Sequence, residues 1–143
     1  MLDSIYMDPV PACFYRISVK ALILDETRER FLLVQEDNGK WEFPGGGLDF
    51  GETPFEGLKR ELNEEMGLEA TWISPSPSCF LTDVTSKGTQ YANVFYEVKV
   101  KDLNFTPSEE CVALRFVSPE EVKDLKAFGN VIKLAEMFEK ARA

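Results

Sequence analysis

Gly46–Leu68 reads GGLDFGETPFEGLKRELNEEMGL, with six carboxylates (Asp49, Glu52, Glu56, Glu61, Glu64 and Glu65) in a segment that carries helix punctuation at both ends. Thr53 stands at an N-cap position, Pro54 at the first helical position and Glu56 at the third, the arrangement of a capping box. Gly67 follows the last periodic residue, where a left-handed residue closes a helix. Phe55, Leu58, Leu62 and Met66 recur at i, i+3, i+7 and i+11, which predicts one apolar stripe for a core. Glu56, Arg60 and Glu64 form an i, i+4 ladder on the outside. Around the helix axis, Glu61 and Glu65 fall within about 40° of each other, with Glu64 about 60° beyond Glu61. Like charges on one helix flank destabilise it, so the pattern asks for a cation.

Working outward, RISVKALIL alternates and is rich in β-branched residues, which predicts a strand. DETRER supplies a polar turn, and FLLVQE is expected to return as the hairpin partner. WEFPGGG is a short extended piece that ends in a glycine turn. Downstream, SCFLTDV and QYANVFYEVKV read as two strands around TSKGT, and CVALRFV as a further strand. SPEEV repeats the capping-box signal and opens a short helix. A final helix is predicted over Asn130 to Lys140, with Val131, Leu134, Ala135 and Phe138 on one face. No repeat or linker interrupts the chain. Residues 1–13, with two prolines in MDPVPA, are expected to be a loosely ordered N-terminal segment, and residues 14–143 one domain.

The composition narrows the chemistry. The 143 residues contain no histidine, which removes Ser-His-Asp and Cys-His schemes and most catalytic zinc sites. Acid–base work therefore falls to carboxylates, Lys, Tyr or metal-bound water. Cys13, Cys79 and Cys111 are odd in number and widely spaced, which favours reduced thiols over a disulfide framework. A net charge of −9 repels a phosphate backbone, so extended nucleic acid is not an expected partner. A small nucleotide carrying its own metal remains compatible. No stretch is apolar enough to span a bilayer, and MLDSIYMDPVPACF lacks a basic region followed by an apolar one, so the expected location is cytoplasmic, with no membrane partner.

Gly46, five residues, Glu52, seven residues, then Arg60-Glu61-Leu62-x-Glu64-Glu65-x-Gly67-Leu68 resembles the Nudix box of the Nudix hydrolases at every defined position. Trp41-Glu42-Phe43-Pro44-Gly45-Gly46 is similar to the strand and turn that precede the box in mutator-type members. The resemblance implies an α+β chain with the family's α/β/α sandwich around a mixed central β-sheet. It implies a pyrophosphohydrolase that cleaves a nucleoside diphosphate linked to a further group, a nucleoside triphosphate or small nucleotide conjugate, by water attack at phosphorus. Hard carboxylate ligands suit Mg²⁺, with Mn²⁺ as a substitute. By the same resemblance, Glu61, Glu64 and Glu65 ligate metal, the Gly45 carbonyl assists, and Arg60 orients a catalytic glutamate. Glu52 has a supporting role. The general base varies among members; Glu110 in TPSEECV stands where relatives carry a loop glutamate, with Glu109 as its neighbour and box glutamates such as Glu64 as further candidates.

Plainer readings stand beside these. The acidic flank is otherwise a solvated helix face, Arg60 a partner of Glu56 or Glu64, and Trp41, Phe43 and Phe50 packing residues rather than base platforms. Tyr91 and Tyr96 are read as core-facing. Recognition of a base falls to strands near Arg16, Gln90 and Asn93. Asp83 and Thr85 occupy positions where specialised members carry other residues, so no specialised substrate label is supported, and WEFPGG points toward nucleoside triphosphates. The alternatives to a hydrolase are a non-catalytic nucleotide sensor of the same fold and, last, an isomerase acting on an isoprenoid diphosphate. Either a monomer or a homodimer is compatible with the sequence.

Overall fold

The computed structural model describes residues 12–142; the expectation for the N-terminal segment falls, through residue 11, outside the described residues. Among the described residues, eight strands and two α-helices follow in the order β1 (Arg16–Leu22), β2 (Phe31–Gln35), β3 (Trp41–Glu42), β4 (Gly45–Gly47), α1 (Pro54–Met66), β5 (Ala70–Ile73), β6 (Cys79–Val84), β7 (Gln90–Val100), β8 (Ala113–Val117) and α2 (Gly129–Arg142), with a 3₁₀ turn at Glu121–Asp124. β1 pairs in parallel with β7 from Arg16↔Tyr91 to Leu22↔Glu97 and antiparallel with β4. β6 and then β5 occupy the other edge of β7. β2 pairs with β3 and β8 in a second sheet. The mixed sheet and flanking helices are those of an α+β sandwich.

Side-chain alternation along the strands explains the layering. Val19, Ala21, Leu32, Val34 and Val98 pack with Leu58, Leu62 and Met66 of α1 in one core. Phe31, Leu33 and Phe95, the alternate residues, pack with Val131, Leu134 and Ala135 of α2 in another. Phe43 is fully buried there, with its ring centroid 5.2 Å from Phe31 and 5.0 Å from Phe95. The sheets are thus buried on both faces, and no described helix is long and apolar enough to cross a membrane.

The caps of α1 form as expected. Thr53 Oγ1 accepts the Glu56 N–H at 3.2 Å, and Gly67, with φ 67°, ends the helix while its N–H donates to the Asn63 carbonyl at 2.9 Å. The apolar stripe shifts slightly: Phe55 stays partly exposed and meets Tyr96 edge-on, while Gly57 and Glu65 are buried. At the 3₁₀ turn the Glu121 N–H donates to Ser118 Oγ and the Ser118 N–H to Glu121 Oε1, a reciprocal box.

Two expectations need correction. FLLVQE is not the ladder partner of RISVKALIL; the two meet at the Leu24↔Phe31 bridge and the Leu32 N–H to Ile23 carbonyl bond, then part. Both edges of β1 are already taken, one by β7 and the other by β4 with the Ala21 N–H to Pro44 carbonyl bond, so β2 pairs with β8 instead. The strand at Ala70–Ile73 was not expected; a register irregularity between Ala70 and Trp72 breaks its alternation, and Trp72 faces outward.

Candidate active site

The glycine turn is set by close approach. Gly45 has φ 133°, and a Cβ there would lie 2.1 Å from the Val19 carbonyl oxygen. Only glycine lets β4 lie on β1 in this way. At Gly46 a Cβ would meet the Glu61 carboxylate at 2.6 Å, so the absence of a side chain is what gives that carboxylate room.

Arg60 holds the arrangement from behind. Its Nε and Nη2 donate to the two oxygens of Glu52 at 2.6 and 2.8 Å, a bidentate pair. Nη1 donates to Glu61 Oε1 at 2.8 Å and to Glu64 Oε2 at 3.2 Å, and Nη2 also reaches the Gly47 carbonyl at 3.0 Å. Hydrogen bonds from Arg60 and from the Asp49 N–H hold the Glu52 carboxyl down at about 2, and Glu52 in turn raises the Arg60 guanidinium. Of the expected outer ladder the Arg60–Glu64 pair forms, while Glu56 is not among the hydrogen-bond or ion-pair partners of Arg60, which otherwise turns inward to Glu52 and Glu61.

Glu61, Glu65 and Glu110 come together: one carboxylate oxygen from each lies within 4.8 Å of the other two. Glu65 is 7% exposed. Burial pushes its carboxyl up to about 9; Lys20 opposes the shift, and Glu61 and Glu110 add to it. Glu110 arrives from a tight turn in which Ser108 and Cys111 exchange backbone hydrogen bonds, tethered to β2 by the Asp37 N–H to Glu109 carbonyl and Val112 N–H to Gln35 carbonyl bonds. Both glutamates at the turn tip are exposed, but only Glu110 lines the cleft. Glu64 is not part of this cluster; its side chain is 60% exposed at the rim, on Arg60.

Glu61, Glu65 and Glu110 line a cleft of about 370 Å³ together with Gly45–Gly47, Asp83, Tyr91, Phe128 and Asn130. Of the residues considered for base recognition, Asn93 is buried and lines the cleft, Gln90 is exposed, and Arg16 caps the Leu48 carbonyl at 2.8 Å. Tyr91 faces the cleft, Tyr96 the core. Phe43 packs, and Phe50 is fully exposed.

Lys20, Glu36, Glu42 and Asn130 are among the cleft residues whose place there escaped the sequence reading. Lys20 interrupts the apolar run VKALIL, and that lone charge in a buried strand was its signal. Glu36 and Glu42 sit at the ends of short strands and carry no such mark; burial and then Glu42 raise the Glu36 carboxyl. Asn130 lies in the first turn of α2, and its buried Oδ1 has no partner. Buried acceptors are nearly always satisfied, which marks this one as an exception among the described residues.

The donor set suits a hard divalent cation: three clustered carboxylates with no thiolate or imidazole among the lining residues. Comparison with known proteins agrees with this chemistry. The NUDIX domain family model matches residues 14–139. An RNA pyrophosphohydrolase of Ruthia magnifica subsp. Calyptogena magnifica is 34% identical over 87 residues, 61% of this chain and 45% of that protein. The chain thus matches less than half the length of that curated relative. A MutT-like protein of Streptomyces ambofaciens is 28% identical over 128 residues, covering 89% of this chain and 79% of that protein. Among solved structures, the solution structure of the E. coli ORF135 protein superposes with a TM-score of 0.75 at 27% identity, covering 95% of this chain and 96% of the other.

Proposed function

The chain belongs to the NUDIX family, and from that premise we propose that it is a divalent-metal-dependent hydrolase opening the phosphoanhydride of a nucleoside diphosphate linked to a further group. The observation that carries this reading is the convergence of Glu61, Glu65 and Glu110 in a cleft that Asn93 and Asn130 also line. Glu61, Glu64 and Glu65, with the Gly45 carbonyl, would hold Mg²⁺ or Mn²⁺, and such an ion would offset diphosphate charge and polarise a phosphoryl oxygen.

The chain's own residues divide the remaining work. Arg60 fixes the Glu61 rotamer through a fork shared with Glu52, so the carboxylate needs no reorganisation when substrate arrives. Glu110 stands exposed on its turn and is reachable by water, which fits it to accept the proton of an attacking water. Asn130 and Asn93 would meet the nucleoside end. A small nucleotide fits the cleft better than an extended polynucleotide, because five further carboxylates accompany Glu65 along it.

The test is turnover with Mg²⁺ and with EDTA across nucleoside triphosphates, canonical and oxidised, ADP-ribose, nucleotide sugars, dinucleoside polyphosphates and a 5′-triphosphorylated RNA. Metal-dependent cleavage of one class, lost in Glu65→Gln, is expected. Cleavage that survives EDTA or Glu65→Gln would overturn the reading, and tight nucleotide binding without product would favour a sensor.

A further inference from the structure

Glu110 reaches Glu61 and Glu65 from an exposed turn, although carboxylates within 4.8 Å of one another repel when ionised. The turn must therefore be tied down. Towards β2 it is held by main-chain bonds, from the Asp37 N–H to the Glu109 carbonyl and from the Val112 N–H to the Gln35 carbonyl. Towards α1 two bonds reach the last turn of the helix, where carbonyls have no partner within the helix itself. The Thr106 N–H donates to the Met66 carbonyl at 2.8 Å, and Ser108 Oγ donates to the Glu65 carbonyl at 2.5 Å. Pro107, between them, has no N–H to offer. Most residues could make the main-chain bonds, whereas the Ser108 bond needs a side-chain donor.

A helix cap would explain a hydroxyl on such a carbonyl, but the two ends of this bond do more. One end is the backbone of Glu65, whose side chain belongs to the carboxylate cluster; the other lies two residues before Glu110, whose side chain completes it. On the far side of Glu110, Cys111 is fully buried in the core beneath α1. The turn is thus anchored by packing after Glu110 and by the Ser108 hydroxyl before it. We propose that Ser108 is a positioning residue, whose bond to the Glu65 carbonyl sets the distance of Glu110 from the Glu61 and Glu65 flank of α1 and so places it to take the proton of the attacking water. The proposal rests on the base role given to Glu110 and the metal role given to Glu61 and Glu65. A misplacement of about 1 Å can cost about a hundredfold in rate, so one lost tether has a measurable effect.

The test is steady-state kinetics with Mg²⁺, on the panel nucleotide that wild type cleaves fastest, for wild type, Ser108→Ala, Ser108→Thr, Glu110→Gln and Ser108→Ala/Glu110→Gln. The Mn²⁺ affinity of each is followed by electron paramagnetic resonance of the free ion. Ser108→Ala is expected to lower kcat by about tenfold or more, with KM and Mn²⁺ affinity within about twofold of wild type. Ser108→Thr keeps the hydroxyl and should keep kcat. In the Glu110→Gln background Ser108→Ala should cost nothing further, because its effect runs through Glu110. A merely structural cap predicts that the loss persists there. Wild-type kcat in Ser108→Ala, an equal loss in Ser108→Thr, a parallel loss of Mn²⁺ affinity, or a further loss in the double variant overturns the role of Ser108 alone. Metal-dependent turnover that Glu110→Gln leaves intact overturns the base role and this inference with it. Turnover that is absent from wild type, or that survives EDTA, overturns the hydrolase reading as well. If Ser108→Ala does not fold, Ser108→Cys, a weaker donor of similar shape, takes its place: a lower kcat that Glu110→Gln masks supports the proposal, and an undiminished kcat overturns it.

Discussion

Without metal, Glu65 should make the protein less stable as pH rises. Its carboxyl is buried beside Glu61 and Glu110 and is pushed from 4.5 up to about 9. Between those values the folded chain keeps a proton that the unfolded chain has released. A group whose folded pKa is raised contributes stability that is fully present below its unfolded pKa and is lost as pH climbs through the folded one. One proton corresponds to a limiting slope of about 1.4 kcal/mol per pH unit, so up to about 4 kcal/mol is lost between roughly pH 5.5 and 8.5. Glu65→Gln removes the titrating group while keeping its shape and a similar hydrogen-bonding capacity. The assay is urea unfolding in EDTA, followed by the fluorescence of Trp41 and Trp72, at several pH values in that window. The wild-type curve should fall relative to Glu65→Gln by about 1 kcal/mol per pH unit, the titrating groups remote from Glu65 cancelling in the difference. Millimolar Mg²⁺ should flatten the wild-type profile, because metal binds the deprotonated carboxylate. Parallel profiles for the two proteins in EDTA would show that Glu65 is not the group that titrates.

Glu110→Gln should leave the fold intact and lower kcat by about 10²–10⁴-fold, checked by steady-state kinetics. Arg60→Lys keeps the charge but cannot make the fork to Glu52; a fall in kcat/KM of roughly 10–100-fold is expected, with an unchanged circular dichroism spectrum. Gly45→Ala places a methyl group against the Val19 carbonyl at φ 133° and should destabilise the protein by about 2 kcal/mol or more in thermal unfolding, whether or not metal is present.

Local chemistry makes α1 legible in the residues themselves. Thr53, Pro54 and Gly67 mark its ends, and the spacing of Glu61 and Glu65 alone puts them on one flank. The juxtaposition of Glu110 with that flank was a matter of resemblance, because it depends on a turn held to β2 by backbone hydrogen bonds that leave no residue pattern. Non-local pairing was the weak point for the fold as well. RISVKALIL and FLLVQE have the alternation of a hairpin, but which edge of a strand is filled depends on Gly45–Gly47 and on β7, far along the chain. Glu64 has the same spacing credentials as its neighbours; its place at the rim follows from the competing reach of Arg60. Asn130 is conspicuous only once its burial is known, since a single asparagine in a helix is ordinary on a surface, whereas Lys20 is marked by the apolar run that it interrupts.

Whether Glu61 and Glu65 hold a divalent ion against a diphosphate can be measured directly, in the anomalous difference map of crystals soaked with Mn²⁺ and a non-hydrolysable nucleotide analogue. A peak is expected at roughly 2.0–2.3 Å from carboxylate oxygens of both residues, bridged to the analogue's phosphates. A peak elsewhere, with phosphates bound in the cleft and both carboxylates free of metal, would contradict the assignment.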